Sequence, residues 1–122
     1  MDIVELWKTV FEQDAEKLKT FFKDTAYVNW HCTNEHFTVD EYIRANCEYP
    51  GDWDGTIERI EKTGNLIIAV VKVFSIDREI SCHVVSFIEL EDDKIIAMNE
   101  YWGDDGIAPQ WRIEKNLGTV IC

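Results

Sequence analysis

The strongest constraint on the fold comes from residues 66–102, which form three apolar segments separated by two short polar breaks. The first segment is almost unbroken apolar and rich in β-branched side chains, which is typical of a strand covered on both faces. The other two contain no Gly or Pro, and the breaks have the composition of turns. We therefore predict an antiparallel meander with strands at residues 66–74, 80–90 and 95–102.

Alternation along the second and third strands divides their side chains between two faces. One of them, the outer face, is directed away from the predicted helices and includes His83, Val85 and Phe87. It is too apolar to be simply solvated, so we predict a homodimer formed through the outer sheet face. The inner face would carry Cys82, Val84, Ser86, Ile88 and Leu90 of the second strand and Ile96, Met98, Glu100 and Trp102 of the third.

The chain before the meander has the pattern of two helices and a short strand. Apolar residues from position 2 to about 23 recur every three or four positions, which predicts one helical stripe restarted after a break at Asp14. Residues 25–32 then alternate as a strand. Its inward face would carry Ala26, Val28, Trp30 and Cys32.

A further helix is indicated by a capping box. Thr38 and Glu41 have the required spacing, and the helix should run to about Cys47, before Pro50. Residues 54–62 form a more polar strand, which favours a position near the edge of the sheet.

This order of elements predicts an α+β fold. N-terminal helices would pack on a curved, mainly antiparallel sheet and form a cone with an internal pocket. With 122 residues in all, we expect a single domain over residues 1–112 and a C-terminal tail over residues 113–122.

Composition narrows the range of partners and locations. The chain has 24 acidic and 12 basic residues, and its net charge of −12 repels nucleic acid and anionic lipid. We therefore expect no nucleic acid and no membrane as partners. No segment is long and apolar enough to span a bilayer, and the first residues lack a basic and an apolar region, so we expect a cytoplasmic protein.

Metal and cofactor motifs are absent from the sequence. The cysteines form no CxxC pair, the glycines are scattered, and His31 and His36 do not have the spacing of two ligands on one helix face. We predict no metal, no disulfide and no cofactor. The cysteines are Cys32, Cys47, Cys82 and Cys122.

These residues resemble those of a known superfamily. The helical pair, the strand ending near Trp30, the capped helix and the closing stretch KIIAMNEYWG at residues 94–103 resemble the nuclear-transport-factor-2-like domains. These are cone-shaped α+β domains that include ketosteroid isomerases and SnoaL-like polyketide cyclases. The resemblance covers residues 2 to about 103, and residues 100–112 are similar to the tail of SnoaL-like members of unknown function. It implies a cone with a pocket and no particular reaction.

The ketosteroid isomerases allow a comparison by position. Their chemistry needs a carboxylate base, and a tyrosine and a protonated aspartic acid as oxyanion donors. The resemblance puts Trp30 where the base would be, Ser86 near the aspartic acid, and Leu6 or Trp7 near the tyrosine. All three departures remove the needed proton chemistry, which argues against steroid isomerisation.

Glu100 is the main candidate for catalysis. Alternation and the resemblance both place it in the pocket, on an otherwise apolar face. Desolvation would raise the pKa of a carboxyl group there, which could act as a general acid or base or recognise a cationic ligand. The alternatives are an ion pair with Arg112 or Arg59, and exposure at the end of the strand.

The other candidates would bind a ligand rather than react with it. Trp30, Trp53 and Trp102 supply flat walls for a ring-bearing molecule, although the same rings could simply pack the core. Ser86 could donate a hydrogen bond to a ligand or to the backbone. The predicted ligand-binding residues are Trp30, Trp53, Val84, Ser86, Met98 and Trp102.

Two functions remain open at this point. The protein could bind a small hydrophobic or aromatic molecule in a Trp-lined pocket, with no chemistry. It could also be a cofactor-independent enzyme of the polyketide-cyclase, isomerase or dehydratase type that uses Glu100 as general acid or base. A single carboxylate is less than the acid and base pair that such chemistry usually needs, which favours binding.

Overall fold

A six-stranded mixed sheet with helices on one face forms the molecule, and the computed structural model describes residues 1–121 of it. Cys122 lies outside the described residues. The strands lie in the order β2-β1-β6-β5-β4-β3; β1 and β6 are parallel and all other neighbours are antiparallel. The elements are α1 (Ile3–Glu12), α2 (Ala15–Lys19), β1 (Phe22–Trp30), β2 (Glu35–Thr38), α3 (Val39–Cys47), β3 (Trp53–Thr63), β4 (Leu66–Ser75), β5 (Ser81–Glu91), β6 (Lys94–Asp104) and α4 (Gln110–Glu114).

The predicted α+β fold and the antiparallel meander are confirmed. Strand β3, which the sequence analysis placed near an edge, is the edge strand next to β4. Helix α1 packs on β3 and α3 packs on β1, so one face of the sheet is covered by helices. The sheet remains open, and the space between its inner face and the helices contains the core.

The predicted helix caps are confirmed. The Asp14 side chain accepts a hydrogen bond from the Lys17 backbone N–H at 3.1 Å and caps α2. Asp2, which was not predicted as a cap, accepts from the Glu5 N–H at 3.0 Å and caps α1. The capping box of α3 has both of its hydrogen bonds, since the Thr38 N–H donates to Glu41 at 3.0 Å and the Glu41 N–H donates to Thr38 at 3.3 Å. The buried side chains of α1 and α3 face the sheet.

The helical stripe predicted to reach residue 23 ends earlier. Helix α2 ends at Lys19, and Phe22 is the first residue of β1. Phe22 is buried, as the stripe required, but it reaches the core from a strand, because an aromatic residue fits either element. The strand ends at Trp30, so Cys32 lies in an exposed turn and not on the inward face of a strand. The short, mostly exposed strand β2 was not predicted.

A β-bulge changes the predicted alternation at the start of β6. The pairing between β5 and β6 shifts between Glu89 and Leu90, which leaves Ile96 as the extra residue. The fully buried side chain is therefore Ile95, and Ile96 is only partly buried. From Met98 onward the predicted alternation holds, and the side chains of Met98 and Glu100 point inward.

Gly55 in β3 lies in close contact with the Phe11 side chain of helix α1. A Cβ atom there would lie 2.5 Å from the carbonyl oxygen of Lys72 and closer still to the ring of Phe11. We expect Gly55→Ala to lower the free energy of unfolding by about 1–3 kcal/mol, the usual cost of overpacking. Gly103→Ala is the matched control, since nothing lies within 4 Å of that position. Equal urea denaturation midpoints for both variants would contradict this packing.

The C-terminal helix α4 buries none of its side chains. It crosses the boundary at residue 112 that we predicted between domain and tail. Among residues 1–121, no helix has both the length and the apolar content needed to cross a membrane.

Candidate functional site

A cavity of about 290 Å³ opens between the C-terminal ends of α1 and α3 and the ends of β1 and β6. Its walls are mostly apolar and aromatic. The lining residues are Val10, Phe11, Gln13, Trp30, Cys32, Thr33, Ala45, Asn46, Tyr49, Trp53, Val73, Ile80, Cys82, Trp102 and Asp104.

The predicted site residues fall into two groups. Trp30, Trp53 and Trp102 line the cavity together. The other four are buried in the inner face of the sheet and are not among the lining residues. They are Val84, Ser86, Met98 and Glu100.

Strand register explains the surroundings of Glu100. In the sheet, Glu100 of β6 lies between Ser86 of β5 and Trp30 of β1. The indole N–H of Trp30 donates to Glu100 Oε1 at 3.0 Å, and the Ser86 hydroxyl donates to Oε2. Both carboxyl oxygens therefore have a donor, and Glu100 is only 1% exposed. Neither of the two alternatives considered for Glu100 is found within residues 1–121: it forms no ion pair with Arg59 or Arg112, and it is not exposed at the end of the strand.

Burial raises the pKa of Glu100 above its ordinary value, because the charged form loses its hydration. Hydrogen bonds from Ser86 and Trp30 oppose this and favour the charged form, as does the nearby indole N–H of Trp102. The Trp102 N–H is itself buried without a hydrogen-bond partner among residues 1–121. The result is a carboxyl group surrounded by donors and sealed from water.

Trp30 connects the carboxyl group to the cavity. Its ring centroid lies 4.7 Å from that of Phe37 and 6.2 Å from that of Trp102, in both cases nearly perpendicular. Edge-to-face contacts of this kind hold aromatic rings in fixed orientations. The N–H edge of Trp30 therefore points to Glu100, while the rest of the ring lines the cavity.

Two amide side chains support the helical wall of the cavity. Gln13 lies just after α1 in the left-handed conformation, with φ 54°, and its amide NH₂ donates to the carbonyl oxygens of Asn46 and Tyr49 at 2.9 Å each. The Asn46 NH₂ donates back to the carbonyl oxygen of Val10 at 3.1 Å. These reciprocal bonds join the ends of α1 and α3.

Sequence reasoning missed several lining residues. Gln13, Asn46 and Tyr49 come from helix ends and a loop, and no periodic pattern indicates that they meet. Asp104 could have been found, because it continues the inward alternation of Glu100 and Trp102 along β6. The predicted third strand ends at residue 102, whereas β6 continues to Asp104.

No protein-family profile matches the sequence, and no curated protein matches it either. Similar solved structures exist. A candidate ketosteroid isomerase from Kribbella flavida DSM 17836 has a TM-score of 0.80 at 21% identity, over 98% of this chain and 87% of that one. A nuclear-transport-factor-2-like protein of unknown function from Burkholderia xenovorans LB400 has a TM-score of 0.76 at 20% identity, over 92% and 88%.

A third solved structure represents the cyclases. A candidate SnoaL-like polyketide cyclase from Jannaschia sp. CCS1 has a TM-score of 0.70 at 12% identity, over 82% of this chain and 81% of that one. At these identities the similarity concerns the fold. The chain has the nuclear-transport-factor-2-like fold, which confirms the predicted resemblance at that level.

Proposed function

We propose that this chain, which has the nuclear-transport-factor-2-like fold, binds a small apolar molecule with an aromatic ring. The observation that carries the proposal is the convergence of Trp30, Trp53 and Trp102 on one cavity. Rigid indole rings provide large contact areas at a low entropic cost.

The size of the cavity supports a ligand of one or two rings. An apolar cavity of about 150 Å³ is enough to bind benzene. The cavity of about 290 Å³ is roughly twice that volume. A substituted ring would therefore fill it.

A second candidate function is a cofactor-independent enzyme that uses Glu100 as general acid or base. The buried carboxyl group next to Trp30 and Trp102, with its pKa raised by desolvation, favours this candidate. Against it, both carboxyl oxygens are already hydrogen-bonded, and Glu100 does not line the cavity. The position of the carboxyl group therefore supports binding over catalysis.

Titration with meta-tert-butylphenol, followed by tryptophan fluorescence and calorimetry, tests the proposal. We expect saturable binding with one site per chain. The absence of saturable binding for this and other single-ring compounds would overturn it. Ligands retained through purification and identified by mass spectrometry would provide substrates for assays, in which Glu100→Gln separates the two functions. Lost turnover with retained affinity would support the enzyme.

We also propose that two copies associate through the outer face of the sheet. Helices α1 and α3 pack on the inner face of the sheet, and α4 buries none of its side chains. The central side chains of the outer face are apolar; Tyr101 is exposed, and the others are partly buried. They are Ile68, Val70, Val85, Phe87 and Tyr101. A contiguous apolar face of this kind favours association. Light scattering at micromolar concentration should give the mass of a dimer for the native chain and of a monomer for Val85→Glu; a native monomer would overturn the proposal.

His83 lies at the margin of the same face, between two carboxylates. Its Nε2 is 3.1 Å from Glu58 Oε1, and its Nδ1 hydrogen-bonds to Asp105. The hydrogen bond to Asp105 has the largest effect, and together with Glu58 it raises the pKa of His83 above the ordinary 6.5. The pairing therefore contributes stability that is complete below pH 6.5 and is lost as the pH rises through the raised pKa.

An NMR titration of the imidazole signals measures this pKa directly. We expect a value above 6.5 in the native chain and a lower value in Asp105→Asn. Asp24→Asn removes the same charge from an exposed position and should leave the His83 titration unchanged. A pKa that is equal in the native chain and in Asp105→Asn would contradict the assignment.

A further inference from the structure

The cavity lining carries negative charge and no positive charge within residues 1–121. In the part of the chain that the structure describes, Asp104 is the only charged residue that lines the cavity, and no Lys, Arg or His occurs among the lining residues. The chain as a whole carries a net charge of −12. An anionic ligand would therefore find no counter-charge in the cavity, whereas a cation would find a carboxylate at its mouth.

None of the three indole N–H groups is free to donate to a ligand. The N–H of Trp30 is bonded to Glu100, and the N–H of Trp53 donates to the Pro50 carbonyl oxygen at 3.1 Å. The N–H of Trp102 is buried. The three rings therefore offer a ligand aromatic surface without an N–H donor, and the negative face of an aromatic ring attracts a cation.

The side-chain amides of Gln13 and Asn46 also have their N–H donors engaged within the protein. The NH₂ groups of Gln13 and Asn46 donate to backbone carbonyl oxygens. Each amide has one nitrogen donor group and one oxygen acceptor, so the part that remains for a ligand is the carbonyl oxygen. The NH₂ groups of both amides are therefore already engaged, and the charged group left in the lining is the Asp104 carboxylate.

We infer that the cavity takes an organic cation, an ammonium group carried on an apolar, ring-bearing body. A lining with three tryptophans, one carboxylate and no basic side chain is complementary to such a group, and aromatic faces attract desolvated cations strongly. This inference rests on the proposed function and specifies the class of ligand for the same site.

A matched set of probes tests the inference. The meta-hydroxyphenyltrimethylammonium cation and meta-tert-butylphenol have nearly the same shape and differ in charge, and meta-hydroxybenzoate supplies an anion. We expect the cation to bind at least about tenfold more tightly than the neutral probe, which is about 1.4 kcal/mol, and the anion to bind more weakly than either. Dissociation constants come from calorimetry on the full chain.

Variants separate charge from shape. Asp104→Asn should weaken binding of the cation several-fold and leave the neutral probe unchanged, while Asp24→Asn, at an exposed position outside the cavity, should affect neither. Equal or tighter binding of the neutral probe would overturn the inference and leave the proposed function standing. If no probe bound, both would be overturned.

Discussion

Trp30→Ala is expected to abolish most ligand affinity and to destabilise the fold. The ring is a wall of the cavity, and losing an aromatic contact of roughly 1–1.5 kcal/mol weakens binding about tenfold. The same ring packs against Phe37, Tyr42 and Trp102 and donates its N–H to Glu100. Because Trp30 is only partly buried, we expect a loss near the lower end of the range for Trp→Ala, about 3 kcal/mol.

Two further variants make this prediction specific. Trp111→Ala removes an indole from α4, where the side chain is 55% exposed, and should change neither affinity nor stability. Trp30→Phe keeps a ring but loses the N–H, so it should retain more affinity than the alanine variant. Calorimetry and urea denaturation provide the measurements. A Trp30→Ala protein with native affinity for meta-tert-butylphenol would show that Trp30 is not a wall of the site.

Glu100→Gln is expected to remove a component of the pH dependence of stability. In the folded chain, burial raises the pKa of Glu100 above the ordinary 4.5. At a pH between the ordinary pKa and the raised pKa, the folded state keeps a proton that the unfolded chain releases. The free energy of unfolding therefore falls as the pH rises through that range. Each unit of pKa elevation appears as about 1.4 kcal/mol. Glutamine is neutral throughout and cannot show this decline.

The difference between the native chain and Glu100→Gln isolates this effect from the general repulsion of an acidic protein. We expect stability to shift in favour of the variant as the pH rises from acidic to neutral, as measured by urea denaturation. Glu89→Gln removes one exposed carboxyl group from the neighbouring strand and should follow the native curve. Parallel curves for native chain and Glu100→Gln would mean that burial does not raise the pKa of Glu100.

The part of the site that was predictable from sequence lies on strands. Strict alternation along β6 placed Glu100 inward, and an unpaired charged residue on an apolar face was the clearest signal in the chain. Alternation failed at Ile96, where a bulge adds a residue to one strand only. Bulges depend on how two strands pair, so the sequence of one strand does not reveal them.

The part that was not predictable depends on contacts between distant elements. Helix α3 was recognisable from its capping box, but the contact of Gln13 with Asn46 and Tyr49 joins segments more than thirty residues apart. Whether Glu100 lines the cavity or lies behind Trp30 also depends on the rotation of the indole. Backbone alternation sets the face of a side chain and leaves its rotamer open.

The most direct test of a tryptophan-lined binding site uses the indole N–H signals in a ¹⁵N-labelled protein. The chain has five tryptophans, so each signal can be assigned by a single Trp→Phe substitution. On saturation with meta-tert-butylphenol, we expect the signals of Trp30, Trp53 and Trp102 to shift. The signals of Trp7, buried on the inner side of α1, and Trp111, exposed on α4, should stay in place. Shifts confined to Trp111, or unchanged signals from the three cavity tryptophans, would contradict the account.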